Sequence, residues 1–200
     1  IAGDVTDPHA LRRAVETTVT SFGGLDIVVS NAGLFTPSQR LEELSDDLWQ
    51  RSLQLNLTSH QVLFRLAIPY LRLGFDPTII VVASKNVPAP GPGAGAYSVA
   101  KAGLTQLARV AALELAGDGV RVNMLHPHAV FDTGGWTPEV LQARAAAYGM
   151  SVEQYRRNNL LKVEVTSKDV AALICAMAGP AFAKTTGAQV PIDGGSDRVV

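Results

Sequence analysis

Two hundred residues, 47% hydrophobic and 18% charged, are enough to bury one sizeable core and sit within the range of a single domain. A formal net charge of -1 and a pI near 6.5 leave no basic field to hold a nucleic-acid backbone or an anionic membrane surface, so neither is expected as a partner. The single cysteine, Cys175, has no intrachain disulfide partner, and the apolar stretch VAALICAMA around it predicts a buried thiol in a reducing, cytoplasmic setting.

Ile1-Ala2-Gly3-Asp4 reads as the end of a buried strand running into a helix start, so the chain is expected to begin part-way through a fold. Thr6-Asp7-Pro8 supplies a cap and a first-turn proline, and Leu11, Val15, Val19 and Phe22 recur at helical spacing until Gly23-Gly24. Leu25 to Ser30 is continuously apolar after Asp26, which predicts a strand covered on both faces. Ser45-Asp46-Asp47 is expected to cap one long helix from about Leu48 to Leu73, with Pro69 near its end. Thr78 to Ala83 is the next buried strand, and even this apolar run is far too short for a membrane span.

The proline- and glycine-rich stretch from Asn86 to Gly95 predicts a loop, followed by a helix from Tyr97 to Ala116 that Gly117 ends. Val120 to Leu125 is a third strand. Helices are expected at Pro138 to Tyr148 and Val152 to Asn158, the second begun by the capping box Ser151-x-x-Gln154, in a region with the look of a substrate-covering insert. Ser167 to Ala178 is a further helix, and Ala188 to Ile192 a last strand before Asp193-Gly194-Gly195. Apolar strands alternating with helices of ten or more residues give an α/β fold, a doubly wound parallel sheet with helices on both faces. In such sheets ligands bind beyond the carboxyl ends of the strands, which here are Asp4, Asn31, Ser84 and His126 to His128.

Tyr97 and Lys101 stand four apart in a helix and so share a face. A tyrosine of ordinary pKa about 10 is almost never ionised at neutral pH, and an ammonium one turn away offers the opposite charge that stabilises a phenolate. Alone the pair is a weak signal, equally readable as a solvated helix face. Ser84, thirteen residues earlier at a strand's carboxyl end, adds a hydroxyl able to reach a substrate oxygen. Asn56 is a polar residue in the mostly apolar LQLNLTS, where it must find hydrogen-bond partners; by itself it reads as an amide tying two backbones together.

Over essentially its whole length the chain resembles the short-chain dehydrogenase/reductase family, through Asp4-Val5-Thr6, Asn31-Ala32-Gly33, Asn56-Leu57, Ser84, Tyr97-Ser98-x-x-Lys101-Ala102, Arg121-Val122-Asn123, Pro127, Thr186-Gly187 and Asp193-Gly194-Gly195. The resemblance implies that Tyr97 is the general base in oxidation and the general acid in reduction. Lys101, helped by an oxidised nicotinamide ring, would lower its pKa and hold the cofactor ribose; Ser84 would orient the substrate oxygen and Asn56 would hold a water in the proton path. It also implies NAD as cofactor, with NADP not excluded, flanked by Asp4 and Val5 at the adenine, by Asn31, Ala32 and Gly33 on the adenosine side, and by Pro127 and Val130. A small-molecule substrate and a homo-oligomer go with it.

Two departures stand out. The family's glycine-rich turn, which brings backbone amides to a pyrophosphate at a helix N-terminus, has no counterpart, and the expectation is that the first βαβ half of the fold lies upstream of Ile1. The third strand is followed by His126-Pro127-His128 and a run to Trp136 in place of the family's Pro-Gly. His128 and Trp136 are expected to contact substrate, and no metal is expected at the two histidines. This stretch, with Tyr148-Gly149-Met150, the segment from Arg156 to Lys162 and that from Phe182 to Gly187, is similar to the dehydrogenase half of bifunctional rhamnulose-1-phosphate aldolase/short-chain dehydrogenase proteins. That similarity implies an upstream aldolase domain and lactaldehyde oxidised with NAD in rhamnose catabolism. Competing readings are an NADP-dependent carbonyl reductase, a sugar or polyol dehydrogenase of the same fold, and a non-catalytic dinucleotide-binding or structural module.

Overall fold

Four runs of β-branched and aliphatic residues, β1 (Ile27–Ser30), β2 (Thr78–Val82), β3 (Arg121–Pro127) and β4 (Gln189–Ile192), pair in parallel in the order β1-β2-β3-β4. The computed structural model describes residues 1–196. Val28 pairs with Ile79, Ile79 with Val122 and Leu125 with Val190, so the carboxyl ends of all four strands lie along one edge. The connections are helical: α1 (Pro8–Phe22) precedes β1, α2 (Asp46–Leu53) and α3 (Ser59–Leu71) join β1 to β2, and α4 (Gly95–Leu115) joins β2 to β3. Three more, α5 (Pro138–Ala147), α6 (Val152–Arg156) and α7 (Ser167–Ala178), lie between β3 and β4. This is the α/β, Rossmann-like arrangement that the pattern predicts.

Strand alternation divides the core between two layers. Ile79 and Val81 face α3 and α4 with Phe64, Leu71, Leu104 and Ala108, while Ile80 and Val82 face α7 with Leu125, Val170 and Met177. Helix α1 packs on α3 through Leu11, Val15, Val62 and Leu66. Asp7 caps it, its side chain accepting from the His9 N–H at 2.8 Å, and Gly23 ends it in the left-handed region at φ 82°.

Several sequence expectations are corrected. Residues 1–4 form no strand and Ile1 is 79% exposed; the Asp4 carboxylate accepts from both the N–H and the hydroxyl of Thr6 at 2.8 Å, turning the chain towards α1. Strand β1 is covered on one face only: Val28 and Ser30 are buried, but Ile27 and Val29 point to the face that α7 does not reach. Cys175 is exposed, because α7 rests on the sheet through the face carrying Val170 and Met177 and the thiol lies off that face. The long helix expected from about Leu48 to Leu73 runs from Asp46 to Leu71, but a π-helical turn, Gln54–Thr58, lies inside it and divides α2 from α3. Helix α4 starts two residues earlier than expected, and after a short 3-10 turn it is Gly119, at φ 74°, that reverses the chain.

Two of the family-like motifs hold the sheet's far edge together. The Arg121 guanidinium donates to the carbonyls of Met177, Ala178 and Phe182 at 3.0–3.2 Å, satisfying the end of α7, and the Asn123 amide spans Thr185 and Ala188. The Val122 N–H donates to the Thr186 hydroxyl at 3.0 Å. A third tie crosses the carboxyl edge: Lys85, 1% exposed and directly after β2, forms an ion pair with Asp193 just past β4. Burial works to raise the Asp193 pKa, but the hydrogen bonds from Lys85 and the Gly195 N–H outweigh it and hold the carboxyl below its ordinary value.

Removing one member of a buried pair strands the other charge. Asp193→Asn is therefore expected to cost about 3–5 kcal/mol of unfolding free energy in urea titration, while the double replacement Lys85→Met with Asp193→Leu recovers most of the loss. Equal losses in the single and double variants would show that the pair does not hold this edge.

Candidate active site

The carboxyl end of β2 and the first turns of α4 bring three sequence-predicted residues together. Lys101 is 2% exposed and its Nζ donates to the Val82 carbonyl at 2.9 Å. The same ammonium lies 6.0 Å from the centroid of the Tyr97 ring. Ser84 is buried just beyond the strand, where its hydroxyl works to lower the Tyr97 pKa, and its Oγ accepts from the Asn86 N–H at 3.1 Å. Behind it, His126 Nδ1 lies 3.0 Å from the Ser84 carbonyl; a carbonyl only accepts, so this nitrogen carries the proton. The loop after β2 is thereby fixed from both sides.

Asn56 enters from the π-helical turn. The Ser45 hydroxyl caps α2, and where the helix widens the Ser59 hydroxyl turns back to the Leu55 carbonyl at 2.6 Å. Fully buried there, Asn56 accepts from the Leu34 N–H at 3.0 Å and donates to the Leu34 carbonyl at 3.0 Å and the Ser52 hydroxyl at 3.3 Å. Its amide ties one backbone to another, as its sequence setting suggested. Gly33, immediately before, has little room for a side chain: a Cβ would stand 3.1 Å from Asn56 Oδ1 and 3.2 Å from Lys101 Nζ, so one of them would have to give. A histidine that sequence reading did not single out completes this wall. His60, one helical turn beyond Asn56 and 2% exposed, places Nδ1 2.6 Å from the Ser30 hydroxyl. Burial first, and then the Lys101 charge, push it down to about 4.

The electrostatics differ from expectation in one respect. Tyr97 is raised above its ordinary value, because burial outweighs the stabilising Ser84 hydrogen bond. Lys101 does not bring it down: the ammonium points at Val82, and burial lowers the lysine itself to about 8. Ser84, Tyr97, Lys101, Asn56 and Gly33 thus surround one point at the sheet's carboxyl edge. There a hydroxyl can meet a proton acceptor and a hydrogen-bond donor together.

The remaining predicted residues are dispersed. Asp4 is spent on Thr6, and Val5 packs beside the α1–α3 contact. Asn31 is exposed and Ala32 half-buried at the end of β1. Pro127 accepts the Lys85 N–H at 3.0 Å, and Val130 packs against the α7 layer. His128 lines a small cleft with Phe131, Tyr155, Arg156, Asn159 and Asp193. Trp136 belongs to the adjoining aromatic cluster, with ring centroids 4.8 Å from Phe131 and 6.3 Å from Tyr155. Phe35, which sequence reading missed, packs on Tyr97 at 4.8 Å between centroids. Among the described residues no three His, Cys, Asp or Glu side chains gather to hold a metal, and no helix is long and apolar enough to cross a membrane.

The chain is similar in sequence and fold to known proteins. A family model described as "Enoyl-(Acyl carrier protein) reductase" matches residues 1–197. An uncharacterised oxidoreductase of Bacillus subtilis is 35% identical over 198 residues, covering 96% of this chain and 29% of that protein. An uncharacterised NAD-dependent oxidoreductase of Mycobacterium tuberculosis is 34% identical over 195 residues, covering 96% of this chain and 70% of that protein. Carveol dehydrogenase from Mycobacterium avium, solved in complex with NAD, is 28% identical and superposes with a TM-score of 0.88 over 97% of this chain and 73% of that one. The chain spans less than a third of the Bacillus relative and about 70% of the mycobacterial ones. Matched in sequence from end to end and carrying Ser84, Tyr97 and Lys101 at the carboxyl edge of its parallel sheet, the chain belongs to the short-chain dehydrogenase/reductase family of NAD(P)-dependent oxidoreductases.

Proposed function

We propose that this chain carries the acid–base centre of an NAD-linked dehydrogenase acting on a small hydroxyl or carbonyl compound. One observation carries the reading: the buried Lys101 ammonium lies 6.0 Å from the centroid of the Tyr97 ring, with the buried Ser84 at the end of β2, on the sheet edge where ligands bind. The residues fit a dinucleotide. Gly33 leaves backbone where a Cβ would fill the space against Asn56 and Lys101. Lys101 has three donors and gives one to Val82, leaving hydrogen-bonding capacity for the hydroxyls of a ribose.

When bound, the oxidised nicotinamide supplies the hydride acceptor and a positive charge close to the phenol. Tyr97, as phenolate, accepts the proton of the substrate hydroxyl in oxidation and returns it to the carbonyl oxygen in reduction. Ser84 donates to the same oxygen and orients it. Lys101 keeps a positive charge within reach of the phenolate. Asn56 holds the Leu34 backbone, and because its amide is engaged there, any water it retains in the proton path would fall to its main chain. Asp4, Val5, Asn31, Ala32, Pro127 and Val130 flank the cofactor in this reading.

For substrate we infer lactaldehyde, whose hydrate presents a hydroxyl to Tyr97 in oxidation to the acid, with an aldolase unit upstream in the parent protein, a homo-oligomeric assembly and a cytoplasmic location. The crowded aromatic segment of Phe131, Trp136 and Tyr155 beside His128 supports a small substrate. The stretch from His126 to Trp136, which departs from the family's Pro-Gly and is similar to the dehydrogenase half of the bifunctional aldolase/dehydrogenase proteins, supports this choice.

In the full-length protein, Tyr97→Phe should lower NAD-dependent turnover at least about a hundredfold while circular dichroism and thermal unfolding stay at parent values. A rate near that of the parent would remove Tyr97 from the mechanism. His128→Ala and Trp136→Ala should change the ratio of kcat/KM between lactaldehyde and a bulkier alcohol more than they change NAD affinity. Equal losses of NAD binding in fluorescence titration would assign the segment to the cofactor instead.

A further inference from the structure

Helix α5 reaches back across the site to the loop after Gly33. The Arg144 guanidinium stands 5.4 Å from the centroid of the Phe35 ring, and its Nη2 donates to the Ser38 hydroxyl at 2.8 Å. Phe35 in turn lies against Tyr97, with centroids 4.8 Å apart and the rings inclined at 50°. The loop bearing Phe35 is pinned at both ends. Leu34 is bonded through its N–H and its carbonyl to the Asn56 amide, and the Gln39 N–H donates to the Gly93 carbonyl at 3.1 Å, just ahead of α4. Gly93 has φ 77°, and a Cβ there would meet the Ser38 side chain at 3.1 Å. So tight a packing leaves the loop little freedom except through Phe35, which is itself 41% exposed.

We propose that Phe35 is a positioning residue for Tyr97, covering one flank of the phenol ring, and that Arg144 and Ser38 form the latch by which α5 holds it there. The inference rests on Tyr97 being the acid–base group. An apolar ring at 4.8 Å excludes water from one side of Tyr97 and fixes the ring's tilt, while the Arg144 cation 5.4 Å from the Phe35 centroid favours the docked position. Segment α5–α6, whose Tyr155 belongs to the aromatic cluster with Trp136, is thereby mechanically joined to the phenol. Seating of α5 and exclusion of water from Tyr97 become one event.

The groups around the phenol are few: Ser84 at the end of β2, Lys101 on the next turn of α4, His126 behind Ser84, and Arg144 beyond Phe35 from α5. They allow a test that needs no turnover. In the full-length protein, subtracting the ultraviolet titration of Tyr97→Phe from that of the parent isolates Tyr97 from the other three tyrosines. The parent midpoint is expected above 10, since burial raises it. Uncovering the ring with Phe35→Ala should bring the midpoint down by about half a pH unit or more, and Phe35→Leu should retain most of the cover. Arg144 separates two explanations by sign. If it acted only as a distant cation, Arg144→Met would raise the midpoint; as a latch, its loss lowers the midpoint, and Arg144→Lys restores the parent value. An unchanged midpoint in Phe35→Ala, or a rise in Arg144→Met, overturns the proposal. The absorbance titration reads Tyr97 whether or not any alcohol is oxidised, so a protein inactive with lactaldehyde still reports on Phe35.

Discussion

A lysine ammonium buried almost completely, with the Val82 carbonyl as its hydrogen-bond acceptor, is the constraint around which this edge of the sheet is built. Taking such a charge out of water is unfavourable, which is why burial lowers Lys101 to about 8. The unfolded chain, with an ordinary lysine, binds more protons between that value and about 10.4, so this residue's contribution to stability improves as pH rises through that window. Near neutrality the charge is retained, at a cost to stability, where it can face a cofactor hydroxyl. The neighbours answer to it. A side chain at Gly33 would crowd Nζ at 3.2 Å, and His60 stays neutral to about 4 first through burial and then because a second cation would stand too near.

From that point the local architecture follows a chain of fixed contacts. The π-helical turn rotates Asn56 onto Leu34, which anchors the loop carrying Phe35, which touches Tyr97. On the other side His126 and the Lys85–Asp193 pair fix the loop of Ser84 to β3 and the residues after β4. Tyr97 and Ser84 are therefore held by rigid elements from both edges, which is the preorganisation that proton transfer to a single oxygen requires. Tyr97 itself stays raised in the protein alone. Lys101 lies over its ring, 6.0 Å from the centroid, but its ammonium is bonded to the Val82 carbonyl, and in the proposed reading the further charge that ionises the phenol comes with the cofactor.

Much of this was legible from residue patterns. Strand runs such as Thr78 to Val82 and the capping box at Ser151 and Gln154 place their elements within a residue or two, because continuous apolar runs and caps are local signals. The Ser84, Tyr97 and Lys101 group was legible because a four-residue helical spacing and a strand end are both visible in one dimension. Burial was read less well. Ile27, Val29 and Cys175 look like core residues by composition, yet their exposure depends on which faces the helices reach. The π-helical turn also left no signature, since LQLNLTS has ordinary helical character and the widening arises where Asn56 finds Leu34. Phe35 and Arg144 meet across more than a hundred residues, and no spacing rule links them. His60 alone had a usable signal, a buried-type histidine at i+4 from Asn56 on the same helix face.

The central claim is that Tyr97 ionises when a positively charged nicotinamide joins Lys101 beside it. The most direct measurement is the ultraviolet difference spectrum near 295 nm of the full-length protein at fixed pH near 8, recorded as NAD is added. The account predicts a phenolate band that grows with NAD occupancy in the parent and is missing in both Tyr97→Phe and Lys101→Met. Saturation with NAD, verified by calorimetry, without any phenolate band in the parent would contradict it.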